Sequence, residues 1–424
     1  MSFNEERRRR AVLVALAPSA AELAETEIEL SELMRLLDTA GGEYVARMIQ
    51  VRPTPDAATC IGSGKLEELR DLCNSEEAGL VVFNNELSPS QVRNIEEALE
   101  GVDVIDRTML ILDIFALHAV SGEGKLQVEL AQLKYTASRL IDKSVSFSRQ
   151  EGRIGSRGPG ESKLETNRRL VKHRAAALEA ELRELAETRA TMRAARERSG
   201  IPRIAIVGYT NAGKSTLLNF LTDAGVLSED KLFATLDPTT RRLTLPDDRE
   251  VLLTDTVGFI RRLPHHLVRA FHSTLEEAAR ADLLLIVCDA SDPECESQLA
   301  VTEGLLAELG AGDIPRIIVY NKCDLIEGLL SASSSDNRVF ISACEGRGIS
   351  ELLSAISREL RRREREVELL FPYSDLGSMN LLRGSSPLLA EPEYREDGVF
   401  VKALLDEKNF NKYSRFIIGQ KNDD

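Results

Sequence analysis

Apolar residues along the first 120 positions alternate between two spacings. Short apolar runs predict strands, whereas longer segments with apolar residues three and four positions apart predict helices. We expect strands at 11–17, 43–51, 80–83 and 102–105, and helices at 20–39, 66–75 and 88–99. Ser88-Pro-Ser-Gln91 is a favourable helix start, because serine caps helices and proline fits the first turn. Strands that alternate with helices predict a small N-terminal α/β domain over residues 1–120.

Residues 121–200 show a heptad pattern instead. The first apolar seam contains Leu126, Leu130, Leu133, Ala137 and Leu140, and the second contains Val171, Ala175, Leu178, Leu182 and Leu185. Two such helices joined by one loop predict an antiparallel helical hairpin, with the loop at about 144–162. The segment 164–198 would form a helix of about 50 Å, at a rise of 1.5 Å per residue.

The loop of the predicted hairpin is rich in glycine and arginine, including Arg149, Arg153 and Arg157. The stretch from Lys134 to Arg174 contains eleven Lys and Arg and four acids. Its local charge is therefore +7, in a chain whose net charge is −15. This asymmetry indicates a nucleic-acid contact. Arginine suits phosphate recognition, and glycine allows close backbone approach. A solvated basic loop without a ligand is the alternative.

A phosphate-binding motif lies between an apolar run at 203–207, which predicts a strand, and a run at 215–221, which predicts the start of a helix. The motif Gly208-Tyr-Thr-Asn-Ala-Gly213-Lys214-Ser215 has the form G-x-x-x-x-G-K-[ST] of the P-loop. Its backbone N–H groups turn toward phosphate oxygens, and the helix N-terminus adds partial positive charge. Lys214 would reach the β- and γ-phosphates, and the Ser215 hydroxyl would bind Mg²⁺.

Three later motifs, each after an apolar run, indicate a guanine nucleotide. Asp255-Thr-Val-Gly258 has the form D-x-x-G, in which Asp255 would hold Mg²⁺ through water and the Gly258 N–H would sense the γ-phosphate. Asn321-Lys-Cys-Asp324 has the form N-K-x-D, and Ser342-Ala-Cys344 fits the last guanine-contact loop. A carboxylate at 324 can accept hydrogen bonds from guanine N1–H and N2–H₂, a donor pair that adenine lacks. We expect a Ras-like P-loop GTPase domain over 201–362, with GTP at the carboxyl edge of a parallel sheet.

The segment Phe233-Ala-Thr-Leu-Asp-Pro-Thr-Thr240 is the expected switch region. One of its threonines should bind Mg²⁺ and the γ-phosphate. Thr235 is the first choice and Thr240 the alternative, and a helix-capping role stays open for either. The predicted catalytic set is Lys214, Thr235 and Gly258.

Two positions bear on the rate of hydrolysis. In Ras-like enzymes a glutamine after D-x-x-G orients the attacking water, and Phe259 occupies that position here. Because phenylalanine cannot hydrogen-bond to water, we expect slow unaided turnover, on the order of 10⁻⁴–10⁻² s⁻¹. Asn211 resembles the asparagine that places a monovalent cation in potassium-activated GTPases, and a plain turn-former is the alternative. The cofactors expected are therefore Mg²⁺ and, if Asn211 places a monovalent cation, K⁺.

A second glycine-rich stretch, Ile61-Gly-Ser-Gly-Lys65, invites comparison with the P-loop. The motif would need glycine at 59 and serine or threonine at 66, where the chain has Thr59 and Leu66. A helix-entry turn is the better interpretation, and an ATP site in the N-terminal domain is the alternative.

Composition restricts the cellular context. Six cysteines without C-x-x-C spacing indicate free thiols in a reducing compartment and predict neither a zinc site nor a disulfide framework. No apolar run approaches the roughly 20 residues that span a bilayer. The run after Arg10 is short and ends at Pro18, so we interpret it as a strand rather than a signal peptide. We expect a cytoplasmic monomer, with peripheral membrane association left open.

The run 152–169, Gly-Arg-Ile-Gly-Ser-Arg-Gly-Pro-Gly-Glu-Ser-Lys-Leu-Glu-Thr-Asn-Arg-Arg, resembles the signature of the HflX family of GTPases. Residues 209–216 and 233–241 do so too, and the similarity extends from about 10 to 360. One departure is Asn167, where an acid is usual. The resemblance implies a ribosome-associated GTPase whose hairpin loop reaches RNA of the large (50S) subunit near the peptidyl-transferase centre, and which helps to split or rescue stalled ribosomes. A GTP-gated assembly or signalling switch on the large subunit, without splitting, is the alternative.

Carried onto this chain, the resemblance implies contacts with GTP in each motif. They are Gly208, Tyr209, Thr210, Asn211, Ala212, Gly213, Lys214, Ser215, Phe233, Ala234, Thr235, Leu236, Asp237, Asp255, Thr256, Val257, Gly258, Asn321, Lys322, Cys323, Asp324, Ser342, Ala343 and Cys344. The Mg²⁺ ligands would be Ser215 and Thr235, in addition to Asp255 of the D-x-x-G motif, which would act through water. The RNA contacts would be Arg149, Arg153, Arg157, Lys163, Arg168 and Arg169. A small C-terminal α+β module is expected over 363–424, with a strand at 399–403.

Overall fold

The computed structural model describes residues 10–150, 169–188, 201–222, 232–233, 235–262, 278–326, 337–362, 365–405 and 407–418. They form two compact units. The first contains the described residues up to Leu185, together with Leu232 and Phe233, and the second contains the others.

The first unit is built on a parallel sheet with the strand order β2-β1-β3-β4. Its strands are β1 (Arg10–Ala17), β2 (Glu43–Val51), β3 (Leu80–Phe83) and β4 (Asp103–Asp106). Its helices are α1 (Leu23–Thr39), α2 (Ser63–Ser75), α3 (Pro89–Leu99), α4 (Arg107–His118), α5 (Gly122–Gln150) and, as far as Leu185, α6 (169–188). All seven elements predicted in residues 1–120 are present, with ends shifted by up to about three residues.

The predicted helix start at Ser88 is confirmed by a capping box. The Ser88 hydroxyl accepts a hydrogen bond from the Gln91 backbone N–H, and the Gln91 side chain accepts one from the Ser88 N–H. The glycine-rich stretch at 61–65 is a helix entry, because Gly62 is the N-cap of α2. Lys65 of that helix pairs with Glu68, with its Nζ 2.6 Å from the Glu68 carboxylate.

Helices α5 and α6 carry the predicted seams. Leu178 is fully buried, and the other second-seam residues up to Leu182 are partly buried. Among the side chains described, Arg174 pairs with Glu129 at 2.7 Å and Lys134 with Glu179 at 2.8 Å, which joins the two helices.

Helix α5 extends further along the chain than predicted. Helix α5 continues to Gln150, so the expected loop start at about 144 is wrong. The physical reason is that the first glycine after the seam is Gly152, and nothing earlier favours a break. Arg149 therefore lies in α5, and Arg169 is exposed at the start of α6. The other predicted RNA contacts, Arg153, Arg157, Lys163 and Arg168, lie outside the described residues.

The second unit contains a six-stranded sheet with the order β10-β9-β8-β5-β7-β6. The strands are β5 (Arg203–Gly208), β6 (Thr239–Thr244), β7 (Glu250–Asp255), β8 (Leu283–Asp289), β9 (Arg316–Asn321) and β10 (Arg338–Phe340). Only β6 runs antiparallel to its neighbour within this sheet. The helices are α7 (Lys214–Thr222), α8 (Cys295–Glu308) and α9 (Ile349–Arg361). The central strands are almost continuously apolar, as expected for a sheet covered on both faces.

The same unit includes a separate antiparallel sheet with the order β12-β13-β11-β14. Its strands are β11 (Arg365–Phe371), β12 (Glu393–Arg395), β13 (Gly398–Leu405) and β14 (Ile417–Ile418), and its helices are α10 (Leu376–Ser385) and α11 (Glu407–Tyr413). The predicted strand at 399–403 lies inside β13. This mixed α/β architecture confirms the predicted fold class. Among the helices that the structure describes, none combines the length and the apolar character needed to span a membrane.

Candidate guanine-nucleotide site

The P-loop joins the end of β5 to the start of α7, and two of its glycines cannot be replaced without a clash. Gly208 has a φ of +146°, and a Cβ there would collide with the carbonyl of Val287 in the neighbouring strand. Gly213 has a φ of +95°, and a Cβ there would collide with the side-chain amide of Asn321. Glycine is required at both positions because of backbone conformation and close approach.

Lys214 is the first residue of α7 and is buried. Its Nζ donates to the Tyr209 carbonyl at 2.8 Å, so the side chain folds back over the loop that would hold the phosphates. Burial lowers the pKa of Lys214 to about 8, although the nearby Asp255 carboxylate favours the charged form. A phosphate beside Lys214 would also favour the charged ammonium.

Three side-chain oxygens converge next to the P-loop. The Ser215 hydroxyl oxygen lies 2.7 Å from Thr235 Oγ1 and donates to Asp255 Oδ2 at 2.7 Å. Asp255 is fully buried, burial raises the pKa of its carboxyl group, and Lys214 opposes that rise. Among the described residues, Asp255 Oδ1 has no hydrogen-bond partner. A buried carboxylate oxygen with spare capacity beside two hydroxyls fits Mg²⁺, which prefers oxygen ligands and also takes phosphate oxygens and water.

The structure separates the two candidate threonines of the switch segment. Thr235 contacts Ser215, whereas Thr240 lies in β6 with its hydroxyl 2.9 Å from that of Thr254. The geometry therefore favours Thr235 as the hydroxyl that accompanies Ser215.

The D-x-x-G segment is tied to the P-loop through its next residue. The Phe259 N–H donates to the Gly208 carbonyl at 3.0 Å, and the Thr210 N–H donates to the Phe259 carbonyl at 2.8 Å. A Cβ at Gly258 would lie 2.8 Å from Thr210 Cα and 2.9 Å from Lys214 Nζ. Only 1% of Phe259 is exposed, so its ring lies in the protein interior where Ras-like enzymes have glutamine.

The guanine end of the site is organised by Asn321, which is buried at the end of β9. Its Nδ2 donates to the Ala212 carbonyl of the P-loop, and its Oδ1 accepts from the Ala343 N–H, both at 2.9 Å. One amide therefore joins the phosphate loop to the Ser342–Cys344 loop. Asp324, three residues later, is exposed.

A residue that the sequence analysis did not identify supports the same loop. Asp289 ends β8, and its carboxylate lies 2.7 Å from Lys322 Nζ. Lys322 has a left-handed backbone with a φ of +62°, so the ion pair holds an unusual turn beside Asp324. The sequence did contain a signal for Asp289, because this residue ends an apolar run, as the residues of the other motifs do.

The other predicted contacts differ in burial and position. Thr256, Val257, Cys323, Ser342, Ala343 and Leu236 are buried, Asp237 is half-buried, and Cys344 is exposed. Ala234 lies outside the described residues. Phe233 belongs to the first unit, where its ring packs against Phe115. Asn211 has a φ of +61°, a left-handed conformation that asparagine tolerates.

Known GTPases match most of this chain. Three family models match the chain: "GTP-binding GTPase N-terminal" over 27–116, "GTP-binding GTPase Middle Region" over 118–196, and "50S ribosome-binding GTPase" over 203–322. GTPase HflX of Lacrimispora saccharolytica is 49% identical over 403 residues, covering 95% of this chain and 94% of that relative. GTPase HflX of Escherichia coli is 44% identical, covering 78% of this chain and 79% of that relative.

Among solved structures, a GTP-binding protein from Sulfolobus solfataricus in complex with GDP is 27% identical. The match covers 82% of this chain and 98% of that one, with a TM-score of 0.44. The sequence relatives and the family models, together with the four nucleotide motifs assembled at one sheet edge, show that the chain hydrolyses GTP and belongs to the HflX family of ribosome-associated GTPases.

Proposed function

We propose that this GTPase binds the large ribosomal subunit and splits or rescues stalled ribosomes, and that the ribosome stimulates its hydrolysis of GTP. The family model over the nucleotide-binding domain is that of a 50S ribosome-binding GTPase, which supports the large subunit as the partner. The splitting activity goes beyond that match and rests on the segment between α5 and α6.

The observation that carries the proposal is the position of the basic residues in the chain. Helices α5 and α6 lie on either side of residues 151–168, and the stretch from Lys134 to Arg174 has a net charge of +7 in a chain of net charge −15. Ion pairs from Arg174 and Lys134 join the two helices. A basic segment flanked by two paired helices is suited to reach into RNA, because arginine recognises phosphate groups bidentately.

Within the nucleotide site, each motif has a distinct role in this proposal. Lys214 and the P-loop backbone bind the phosphates, and Asp324 accepts hydrogen bonds from guanine. Ser215, Thr235 and Asp255 would hold Mg²⁺, which neutralises negative charge on the phosphates when bound. The hydroxyl contacts of Ser215 and the spare oxygen of Asp255 support this assignment.

The proposed dependence of GTP hydrolysis on a partner follows from Phe259. Its buried ring offers no hydrogen bond to an attacking water, so backbone, another residue or a bound partner must orient that water. A ribosome that orders the switch segments would supply this function, and stimulation of about 100-fold or more is within the range that partner proteins achieve for GTPases.

We propose K⁺ as a second cation of the site, held with the help of Asn211. A monovalent cation beside the phosphates would add positive charge where an arginine finger acts in other GTPases. The left-handed backbone of Asn211 equally suits a simple turn, in which case hydrolysis would not depend on potassium.

The test is sedimentation of purified 70S ribosomes with the protein and GTP. Release of 50S and 30S subunits by the unmodified chain, and loss of release with Lys214→Ala, is the expected result. A combined Arg153→Ala and Arg157→Ala variant should retain unstimulated GTP hydrolysis but lose release. If 70S particles stay intact while the protein is enriched on free large-subunit precursors, the splitting proposal fails and an assembly switch takes its place.

A further inference from the structure

The side chain of Tyr209, in the P-loop, reaches the segment that follows the D-x-x-G motif. Tyr209 is buried, with 6% of its surface exposed. Its hydroxyl oxygen accepts a hydrogen bond from the Arg261 backbone N–H at 2.8 Å. Arg261 lies three residues after Gly258, the last residue of the motif. One side chain of the phosphate loop therefore holds the chain just beyond the predicted γ-phosphate contact.

Two backbone hydrogen bonds lie beside this contact. The Phe259 N–H donates to the Gly208 carbonyl at 3.0 Å, and the Thr210 N–H donates to the Phe259 carbonyl at 2.8 Å. The hydroxyl contact of Tyr209 continues this ladder by two residues, to Arg261. Because it is made by a side chain, substitution can remove it while the backbone bonds stay in place.

The side chain of Arg261 is held from the opposite direction, by the start of α8. Its Nη2 donates to Glu294 Oε2 at 2.7 Å and to Ser297 Oγ at 2.6 Å. Glu294 immediately precedes α8, and Ser297 lies in its first turn. Only 13% of the Arg261 side chain is exposed, so water screens this ion pair less than it would screen a surface pair. We call the three residues Tyr209, Arg261 and Glu294 the clasp.

The backbone that the clasp holds lies at the phosphate end of the site. A Cβ at Gly258 would lie 2.9 Å from Lys214 Nζ and 2.8 Å from Thr210 Cα, so this backbone packs directly on the P-loop and its lysine. The buried ring of Phe259 offers no hydrogen bond to an attacking water. Backbone groups next to it are therefore candidates for that role, and their position depends on what fixes the segment.

We propose that Tyr209, through its hydroxyl group, and Arg261 are positioning residues for GTP hydrolysis. The clasp holds the backbone of residues 258–261 against the P-loop before the reaction, which lowers the cost of ordering it in the transition state. The effect is selective, because GDP lacks the γ-phosphate that this segment would face. The inference concerns the GTPase reaction alone and does not depend on ribosome splitting.

The first experiment removes one oxygen atom. Tyr209→Phe keeps the ring and deletes the acceptor for the Arg261 N–H. The rate constant for single-turnover hydrolysis of GTP should fall at least about fivefold, whereas the Kd for GDP should change less than about twofold, because the lost contact acts on the transition state. Both are measured on the purified full-length chain, with thermal unfolding to verify that each variant is folded.

Tyr320→Phe is the matched control. Tyr320 is 7% exposed, lies in the same unit, and its hydroxyl donates to Glu296 of α8 at 3.1 Å. The same substitution there removes a tyrosine hydroxyl bonded to the same helix, but none that is bonded to residues 258–261. It should leave the hydrolysis rate and the Kd for GDP unchanged.

The second experiment separates positioning from direct chemistry by Arg261. Glu294→Ala releases the guanidinium group while keeping the arginine, and among the described contacts the Glu294 side chain makes no capping hydrogen bond to α8. If Arg261 acts through the clasp, this variant should lower the rate of hydrolysis as Tyr209→Phe does. If Arg261 instead acted directly on the phosphates, its release would leave the rate unchanged or raise it.

Three results would overturn the proposal. They are an unchanged hydrolysis rate in Tyr209→Phe or Glu294→Ala, a loss of GDP affinity as large as the loss of rate, and an equal loss of rate in Tyr320→Phe.

Discussion

The side chain of Asn321 accepts a hydrogen bond from the Ala343 backbone N–H at 2.9 Å while donating to the Ala212 carbonyl at the same distance. All three groups are buried, so each bond satisfies a polar atom that water does not reach. Two loops that are distant in sequence, the P-loop and the 342–344 loop, are thereby joined. The predicted guanine contacts and the predicted phosphate contacts consequently depend on one residue.

Asn321→Ala should weaken nucleotide binding without a direct contact to the phosphates. The change leaves a buried carbonyl and a buried N–H without partners, each costing about 1–3 kcal/mol. We expect GDP affinity to fall at least about tenfold, since 1.4 kcal/mol corresponds to a factor of ten. Titration with a fluorescent GDP analogue measures this. Asn94→Ala, which removes an exposed hydrogen bond to Ala58 in the first unit, should leave affinity unchanged.

Asp324 should determine which base is bound. Asp324→Asn replaces two acceptor oxygens with one acceptor and one donor, which no longer match the two guanine donors. A site built around such hydrogen bonds rejects a mismatched partner strongly, so GTP affinity should fall about 100-fold or more. Xanthosine triphosphate, which has a carbonyl in place of the guanine amino group, should bind the variant better than GTP does. Unchanged preference for GTP would remove Asp324 from base recognition.

Thr235 and Thr240 provide a direct comparison within one segment. Thr235→Ala removes the hydroxyl next to Ser215, and we expect at least about a tenfold loss of kcat with a higher Mg²⁺ requirement. Thr240→Ala removes a hydroxyl paired with Thr254 in the sheet, so its expected effect is on stability, about 1 kcal/mol. Steady-state GTPase assays across a Mg²⁺ series distinguish them. The assignment of Thr235 fails if Thr240→Ala is the variant that changes the Mg²⁺ response.

Substitution by alanine should have opposite effects at two glycines, Gly213 in the P-loop and Gly304 in α8. Gly213→Ala places a methyl group against the Asn321 amide at a φ of +95°, so nucleotide binding should be lost or greatly weakened. Gly304 is an exposed residue within α8, and a Cβ there meets no described atom within 4 Å. Gly304→Ala should therefore stabilise the chain by about 0.5–1 kcal/mol with unchanged GTPase activity. Chemical denaturation and nucleotide titration of both variants test the pair, and equal affinity of Gly213→Ala and the unmodified chain would contradict it.

Much of the nucleotide site could be predicted from the sequence because its motifs are local. Each consists of a few consecutive residues at the end of an apolar run, and β5, β7 and β9 bring three of them to one edge. Asp289 follows the same rule at the end of β8, and only the lack of a named motif kept it out of the prediction.

Other features depend on information that the local pattern lacks. Helix α4 was missed because it is apolar on most sides, with Leu110, Ile111, Leu112, Ile114 and Phe115 all buried, and it shows little helical amphipathicity. Strand β6 is largely polar and lies at a sheet edge, so its pattern resembles a loop. The burial of Phe233 against Phe115 joins positions far apart in the chain. The RNA contacts and the domain boundaries at 120, 200 and 362 stay predictions.

Asn211 can be tested by a substitution that keeps its backbone conformation. Its φ of +61° suits glycine, so Asn211→Gly should preserve the turn while removing the amide. If Asn211 helps to hold K⁺, the unmodified chain should turn over at least about tenfold faster in potassium than in sodium, a small part of the 10³–10⁵ supplied by an arginine finger. Asn211→Gly should then show the same low rate in both salts. If Asn211 only forms the turn, the variant and the unmodified chain will respond to the two salts alike, and equal turnover of the unmodified chain in sodium and potassium rules out a potassium requirement.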